Sequence, residues 1–168
     1  KAKAYLEKGE LVGIPTETVY GLAGNALDPY AVAKIFVTKN RPEFDPLIIH
    51  TSSIERILEF TVEIPEVLRP LGEKYWPGPL TLLLPKKDIV PDLVTSGLDL
   101  VAVRIPDHPL TKELLKVLDF PLAAPSANPF GYISPTKASH VNDQLGEKIP
   151  YILDGGSCDV GLESTIVG

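Results

Sequence analysis

The chain has 168 residues, 44% of them hydrophobic and 23% charged, with a formal net charge of −6 at pH 7. That length suits one domain, able to bury roughly two thirds of its unfolded surface without disulfides or metal staples. The acidic balance opposes a nucleic-acid surface spread over the whole domain, no apolar run reaches the ~20 residues of a membrane span, and a single cysteine, Cys158, cannot close an internal disulfide. A cytoplasmic location is the default for such a composition. The chain opens on Lys1 with no initiator Met and no secretory apolar region, so the domain, 1–168, is expected to be incomplete at both ends.

In chain order, residues 1–9 read as a short helix stopped by Gly9, and Leu11 to Ile14 as a buried strand ended by Pro15. A polar loop, Thr16-Glu17-Thr18, follows, with Gly21 permitting a tight turn. Asp28-Pro29 is an N-cap and first-turn pair for a helix that delivers Lys39 at its end. Pro46 to His50 is the next strand, and Ser52 with Glu55 predicts a capping box for a helix through Phe60. A helix is expected from about Pro65 to Trp76, strands at Leu80–Leu84 and Leu100–Ile105, and a loop between them at Lys86–Gly97. Pro109–Leu118 reads as a helix, Leu122–Pro125 as a short strand, Pro135–Leu145 as a helix, and Tyr151–Leu153 and Ser164–Val167 as late strands. Six or seven strands with interleaved helices predict an α/β fold with a mixed sheet in one domain.

Cations stand out because they are scarce. Arg56 and Arg69 fall in helical segments where a solvated face accounts for them. Lys39 and Arg41 flank Asn40 ahead of a strand, a spacing suited to phosphate, although a basic helix end also complements the helix dipole. Arg104 lies inside an apolar strand, where a guanidinium needs an anion or several acceptors; a structural ion pair and a ligand carboxylate answer that need equally well. His50 ends a strand, where a satisfied, partly buried imidazole is the ordinary outcome. Ser126 and Asn128 follow a strand and share a face if the backbone is extended, while turn chemistry explains them nearly as well. Ser134-Pro135 reads as a helix start with Ser134 as N-cap, and such an end is also an anion site. The three histidines lack metal-ligand spacing, no phosphate-binding glycine loop occurs, and Cys158 has no base near it in sequence.

Taken in order, Pro15-Thr16-Glu17-Thr18-Val19-Tyr20-Gly21-Leu22, Lys39-x-Arg41-Pro42, Pro46-Leu47-Ile48, Ser126-x-Asn128 and Ser164-Thr165-Ile166-Val167 resemble the YrdC-like threonylcarbamoyl-AMP synthases over nearly the whole chain. The resemblance implies a twisted mixed sheet with flanking helices around a concave ligand cavity. It implies an enzyme that condenses L-threonine, bicarbonate and ATP into L-threonylcarbamoyladenylate, releasing pyrophosphate, in the biosynthesis of N6-threonylcarbamoyladenosine at position 37 of tRNA. Lys39 and Arg41 would then be catalytic and meet the ATP phosphates, and Asp45, Ser126, Asn128 and Ser134 would complete the nucleotide site. Thr18, His50, Arg104, Ala124 and Ser164 would surround threonine, with Arg104 taking its carboxylate and Ala124 offering only backbone. Mg²⁺ would accompany ATP, and the downstream partner would be the machinery that transfers the threonylcarbamoyl group to tRNA. Asp45 stands where many members carry an amide, and the chain ends before the arginine-bearing segment that often completes the adenylate site. Two rival readings are a double-stranded RNA or tRNA-binding module, which the acidic balance disfavours, and the carbamoyl-adenylate domain of a hydrogenase maturation protein, whose acylphosphatase and zinc-finger segments do not occur here.

Overall fold

A computed structural model describes residues 1–168. The helices are α1 (Ala2–Glu7), α2 (Pro29–Lys39), α3 (Ile54–Phe60), α4 (Arg69–Tyr75), α5 (Asp92–Thr95), α6 (Pro109–Val117) and α7 (Ala138–Leu145). The strands are β1 (Val12–Ile14), β2 (Gly21–Asn25), β3 (Ile48–His50), β4 (Leu80–Pro85), β5 (Leu100–Arg104), β6 (Leu122–Ala123), β7 (Tyr151–Ile152) and β8 (Thr165–Val167). They form an 8-stranded sheet in the order β7-β1-β2-β6-β3-β5-β4-β8. β1–β7, β3–β5 and β4–β8 pair in parallel and the other neighbours antiparallel, so the sheet is mixed, as expected.

Strand alternation assigns the two faces. Val12, Ile14, Ala23 and Leu122 pack with Leu6 of α1 and Leu114 and Leu115 of α6 in a cluster of 10 buried residues. Leu11, Leu22, Ile49, Leu82 and Val103 join residues of α2, α3 and α7 in a larger cluster of 27. Burying a Leu or Ile side chain contributes about 1.5–3 kcal/mol, and these two layers hold the sheet between them.

β2 escapes the sequence reading. Gly21-Leu22-Ala23-Gly24-Asn25 has no β-branched residue, and Gly21 reads as a turn. The structure uses the missing side chains for close approach instead: a Cβ on Gly24 would lie 2.8 Å from the Leu11 side chain, and one on Gly21 3.2 Å from Ala124 Cβ.

Helix starts also shift. Ser53, not Ser52, caps α3, its hydroxyl accepting from Arg56 N at 3.2 Å. The helix expected from Pro65 begins at Arg69, and α5 occupies part of the expected 86–97 loop. α7 starts at Ala138, four residues past Ser134, so the N-cap position falls on Lys137, which makes no side-chain cap bond, and Ser134 instead donates to Glu163. Arg56, read as a solvated cation, donates to Leu115 O at 2.9 Å and Leu118 O at 2.7 Å, satisfying carbonyls at the end of α6.

Candidate active site

A cavity of about 440 Å³ opens where the ends of β3, β5 and β8 meet the loop after β1 and the segment after β6. Sheet register builds its floor. His50 of β3 pairs with Arg104 of β5, which in turn pairs with Thr81 of β4, so three polar side chains stand in one row across three strands. Thr81 shares a 2.7 Å hydroxyl contact with Ser164, which lines the cavity just before β8.

The Arg104 guanidinium is 4% exposed and its partners come from two loops. Nε donates to Gly78 O at 3.2 Å and Nη1 to Thr18 Oγ1 at 3.0 Å, while Nη2 forms an ion pair with the buried Glu17 carboxylate. Glu17 Oε2 also accepts from the Asp107 backbone amide. Burial brings the Arg104 pKa down to about 10, so the group stays cationic at neutral pH. Of the two readings open in sequence, the structural ion pair is present, with Glu17, and Arg104 also lines the cavity.

Hydroxyl polarity follows from donor counting. Thr16 Oγ1 gives its one proton to Val19 O at 2.6 Å and accepts from the Thr18 and Val19 amides at 3.2 Å, so in its 2.9 Å contact with Thr18 Oγ1 only Thr18 has a proton to give. Thr18 Oγ1 in turn accepts from Arg104, leaving a lone pair and no proton for a ligand. His50 behaves alike. Its Nδ1 lies 3.3 Å from Ile48 O, which can only accept, so Nδ1 carries the hydrogen and Nε2 is an acceptor. Burial pushes the His50 pKa down to about 4, with the Ile48 carbonyl partly opposing it, and the ring is neutral at pH 7. The floor therefore offers a cation, Arg104, beside two acceptor-only groups.

The outer part of the cavity belongs to loops. α2 ends at Asn40, which adopts the left-handed conformation at φ 52° and ψ 41° and turns the chain before Arg41. Arg41 donates to Asp45 O at 3.1 Å and Pro46 O at 2.8 Å and pairs with the Asp45 carboxylate at 3.0 Å. Burial lowers its pKa and Asp45 counteracts. Asp45 thus sits against a cation, which offsets the repulsion a lone carboxylate would exert on phosphate. Ser134 donates to Glu163 Oε1 at 2.5 Å, and Glu163 lies on the cavity lining.

Of the residues singled out in sequence, Thr18, Arg41, Asp45, His50, Arg104, Ala124, Ser126 and Ser164 line this one cavity. Lys39, Asn128 and Ser134 stand off the lining. Lys39 is buried with Nζ on the carbonyls of Ser126 and Asn128, and Asn128 turns its amide onto Pro129 O and Tyr132 O instead of sharing a face with Ser126. Glu17 and Glu163 went unnoticed as site residues. The demand of a strand-interior arginine for an anion is the signal that could have pointed to Glu17; nothing local marks Glu163.

The Sua5/YciO/YrdC family profile, described as telomere recombination, matches residues 4–168. The chain belongs to this family. Among Sua5/YciO/YrdC relatives, the threonylcarbamoyl-AMP synthase of Pyrococcus abyssi is 49% identical over 166 residues, which make up 99% of this chain and 49% of that protein. The Bacillus subtilis threonylcarbamoyl-AMP synthase is 47% identical over 168 residues, again 49% of its length. A putative threonylcarbamoyl-AMP synthase of Methanocaldococcus jannaschii is 34% identical, with 98% of this chain and 77% of that protein aligned. The chain thus spans about half the length of the first two. The crystal structure of P. abyssi Sua5 complexed with L-threonine superposes with a TM-score of 0.96 at 50% identity, covering 98% of this chain and 48% of that one. Escherichia coli YciO, at 21% identity and a TM-score of 0.85, shares the fold.

Proposed function

We propose that this chain makes L-threonylcarbamoyladenylate from L-threonine, bicarbonate and ATP. The observation that carries the reading is the cavity floor, where the buried Arg104 cation adjoins the acceptor-only Thr18 and His50. An α-amino acid zwitterion with a hydroxyl complements that polarity: carboxylate to Arg104, ammonium and hydroxyl protons to the acceptors. The similarity to a protein crystallised with L-threonine supports the same occupant.

In this reading threonine lies on the floor with Ser164 and the Ala124 backbone beside it, and ATP occupies the loop side against Arg41, Asp45 and Ser126. The threonine ammonium first gives up a proton to water, and the free amine nitrogen then bonds to the bicarbonate carbon with loss of water, giving a carbamate. A carbamate oxygen then attacks the α-phosphorus; that O–P bond forms as the bond to the β-phosphate bridging oxygen breaks, and pyrophosphate leaves. No side chain is acylated. The protein supplies alignment and positive charge, with Arg41 meeting phosphate oxygens. No three His, Cys, Asp or Glu side chains cluster to hold a metal ion. Asp45 and Glu163, carboxylates on the lining, are available to Mg²⁺ carried in with the nucleotide, which when bound neutralises charge on pyrophosphate. The product would pass to the proteins that complete the tRNA modification, in the cytoplasm; no helix is long and apolar enough to cross a membrane.

Incubation with ATP, Mg²⁺ and bicarbonate, with and without L-threonine, tests this. Pyrophosphate and a threonylcarbamoyl-AMP mass that require both threonine and bicarbonate are expected. Absence of both threonine binding and product, with this chain and with one extended past Gly168, would overturn the proposal.

A further inference from the structure

An ammonium 1% exposed would ordinarily face a carboxylate. Lys39 faces none; Nζ donates to Ser126 O and Asn128 O, both at 2.5 Å. The Lys39 backbone carbonyl accepts from Phe130 N at 2.7 Å. Asn128 closes the same loop from inside, its amide donating to Pro129 O at 2.9 Å and Tyr132 O at 2.8 Å. Residues 126–132 are therefore wrapped around one lysine, and Ser126 is the member of that loop that reaches the cavity lining. Left-handed Asn40 divides the two cations: Lys39 belongs to the helix end and points into the loop, whereas Arg41, past the turn, lines the cavity.

We propose that Lys39 is a positioning residue, acting from behind the cavity wall to hold the Ser126–Tyr132 loop in the shape that presents Ser126 to the nucleotide, while Arg41 is the cation of the pair that meets phosphate. Charge-assisted bonds to two carbonyls two residues apart fix both the height and the tilt of the loop. A buried cation with no carboxylate in contact also leaves its field to act on an anion in the cavity. Burial, and Arg41 beside it, lower the Lys39 pKa to about 8 while the Asp45 charge raises it, and the contacts of the ammonium are carbonyl dipoles. The inference rests on the nucleotide reading above for what Ser126 touches; the holding of the loop does not depend on it.

The test compares wild type with Lys39→Met and Arg41→Ala in two measurements: hydrogen exchange across residues 126–132 without ligand, and calorimetric affinity for ATP, AMP and pyrophosphate. Lys39→Met is expected to raise exchange at the Ala127, Phe130 and Tyr132 amides by about tenfold or more, and to weaken ATP and AMP by a similar factor while pyrophosphate binding holds. Arg41→Ala should do the reverse, losing pyrophosphate and ATP with the loop still protected. Unchanged loop exchange in Lys39→Met, with ATP and pyrophosphate weakened but AMP intact, would overturn the inference in favour of direct phosphate contact. Should Lys39→Met fail to fold, wild type saturated with ATP decides: loop protection that persists or grows supports the inference, and protection lost as Nζ swings to phosphate refutes it. A wild type that binds no nucleotide at all sinks the nucleotide reading alone, and the ligand-free exchange data still decide the role of Lys39 in holding the loop.

Discussion

The inner and outer parts of the cavity are built on different terms. Inside, Arg104, Thr18 and His50 are nearly inaccessible; Arg104 and His50 sit at strand ends fixed by sheet register, Thr18 on the loop after β1, and they donate to Gly78, Glu17, Thr18, Thr16 and Ile48. Outside, Arg41 and Asp45 share a loop, and the Asp45 side chain of their ion pair is 38% exposed. An inner wall where Thr18 and His50 have given up their hydrogens and only Arg104 keeps N–H groups unassigned suits a small ligand of one polarity, because little reorganisation accompanies binding. An outer wall of loop residues, with Arg41 as its cation, suits a long, flexible phosphate chain. The same residue type therefore does different work on the two sides: Arg104 is part of the fold as well as the site, and Arg41 belongs mainly to the site.

Arg104→Ala should break this comparison hardest, because it strands the Glu17 carboxylate in the interior. A loss of about 3–5 kcal/mol in urea unfolding is expected, together with loss of threonine binding. Adding Glu17→Gln should recover part of the stability and none of the binding; full recovery of binding would remove Arg104 from the ligand site.

His50 sharpens the inner side through pH. Its folded-state pKa of about 4 lies below the ordinary 6.5, so the unfolded chain takes up the proton first as pH falls. Stability conferred by the neutral ring is complete above about 6.5 and declines towards pH 4, by about 3 kcal/mol in all. Urea midpoints across that range in wild type and His50→Gln should differ in slope, and parallel curves would refute the assignment.

On the outer side, Arg41→Ala removes two bonds to loop carbonyls together with a partly exposed ion pair and should lower stability by about 1–2 kcal/mol, less than Arg104→Ala. ATP affinity should fall by about 1.5–3 kcal/mol, roughly ten- to a hundredfold, by calorimetry. Smallest of all, Ser134→Ala removes one exposed hydroxyl bond to Glu163 and should change stability by less than about 0.5 kcal/mol in the same urea assay.

Much of this architecture is legible in the chain because its cues are local. Apolar runs stopped by Pro15 and Pro106 mark β1 and β5, a run opened by Pro46 marks β3, Asp28-Pro29 marks the start of α2, and the ordered motifs point to one family. β2 is not legible, because its glycines answer neighbours distant in sequence, Leu11, Ile35 and Ala124. Ser134 misleads for a related reason: its hydroxyl can cap a helix or reach Glu163, 29 residues away, and only packing chooses.

The sequence by itself determined the element order, the α/β class, the family and most of the residues that gather at the cavity, since periodicity, caps and residue chemistry are properties of adjacent positions. Tertiary structure alone decided which cations reach the cavity. Arg104 found its anion in Glu17 and still lines the cavity, Lys39 found carbonyls in place of a carboxylate behind the wall, and Arg41 was left on the lining. A charge removed from water must take whatever partner the fold brings within hydrogen-bond reach, and that partner is set by the packing of segments far apart along the chain.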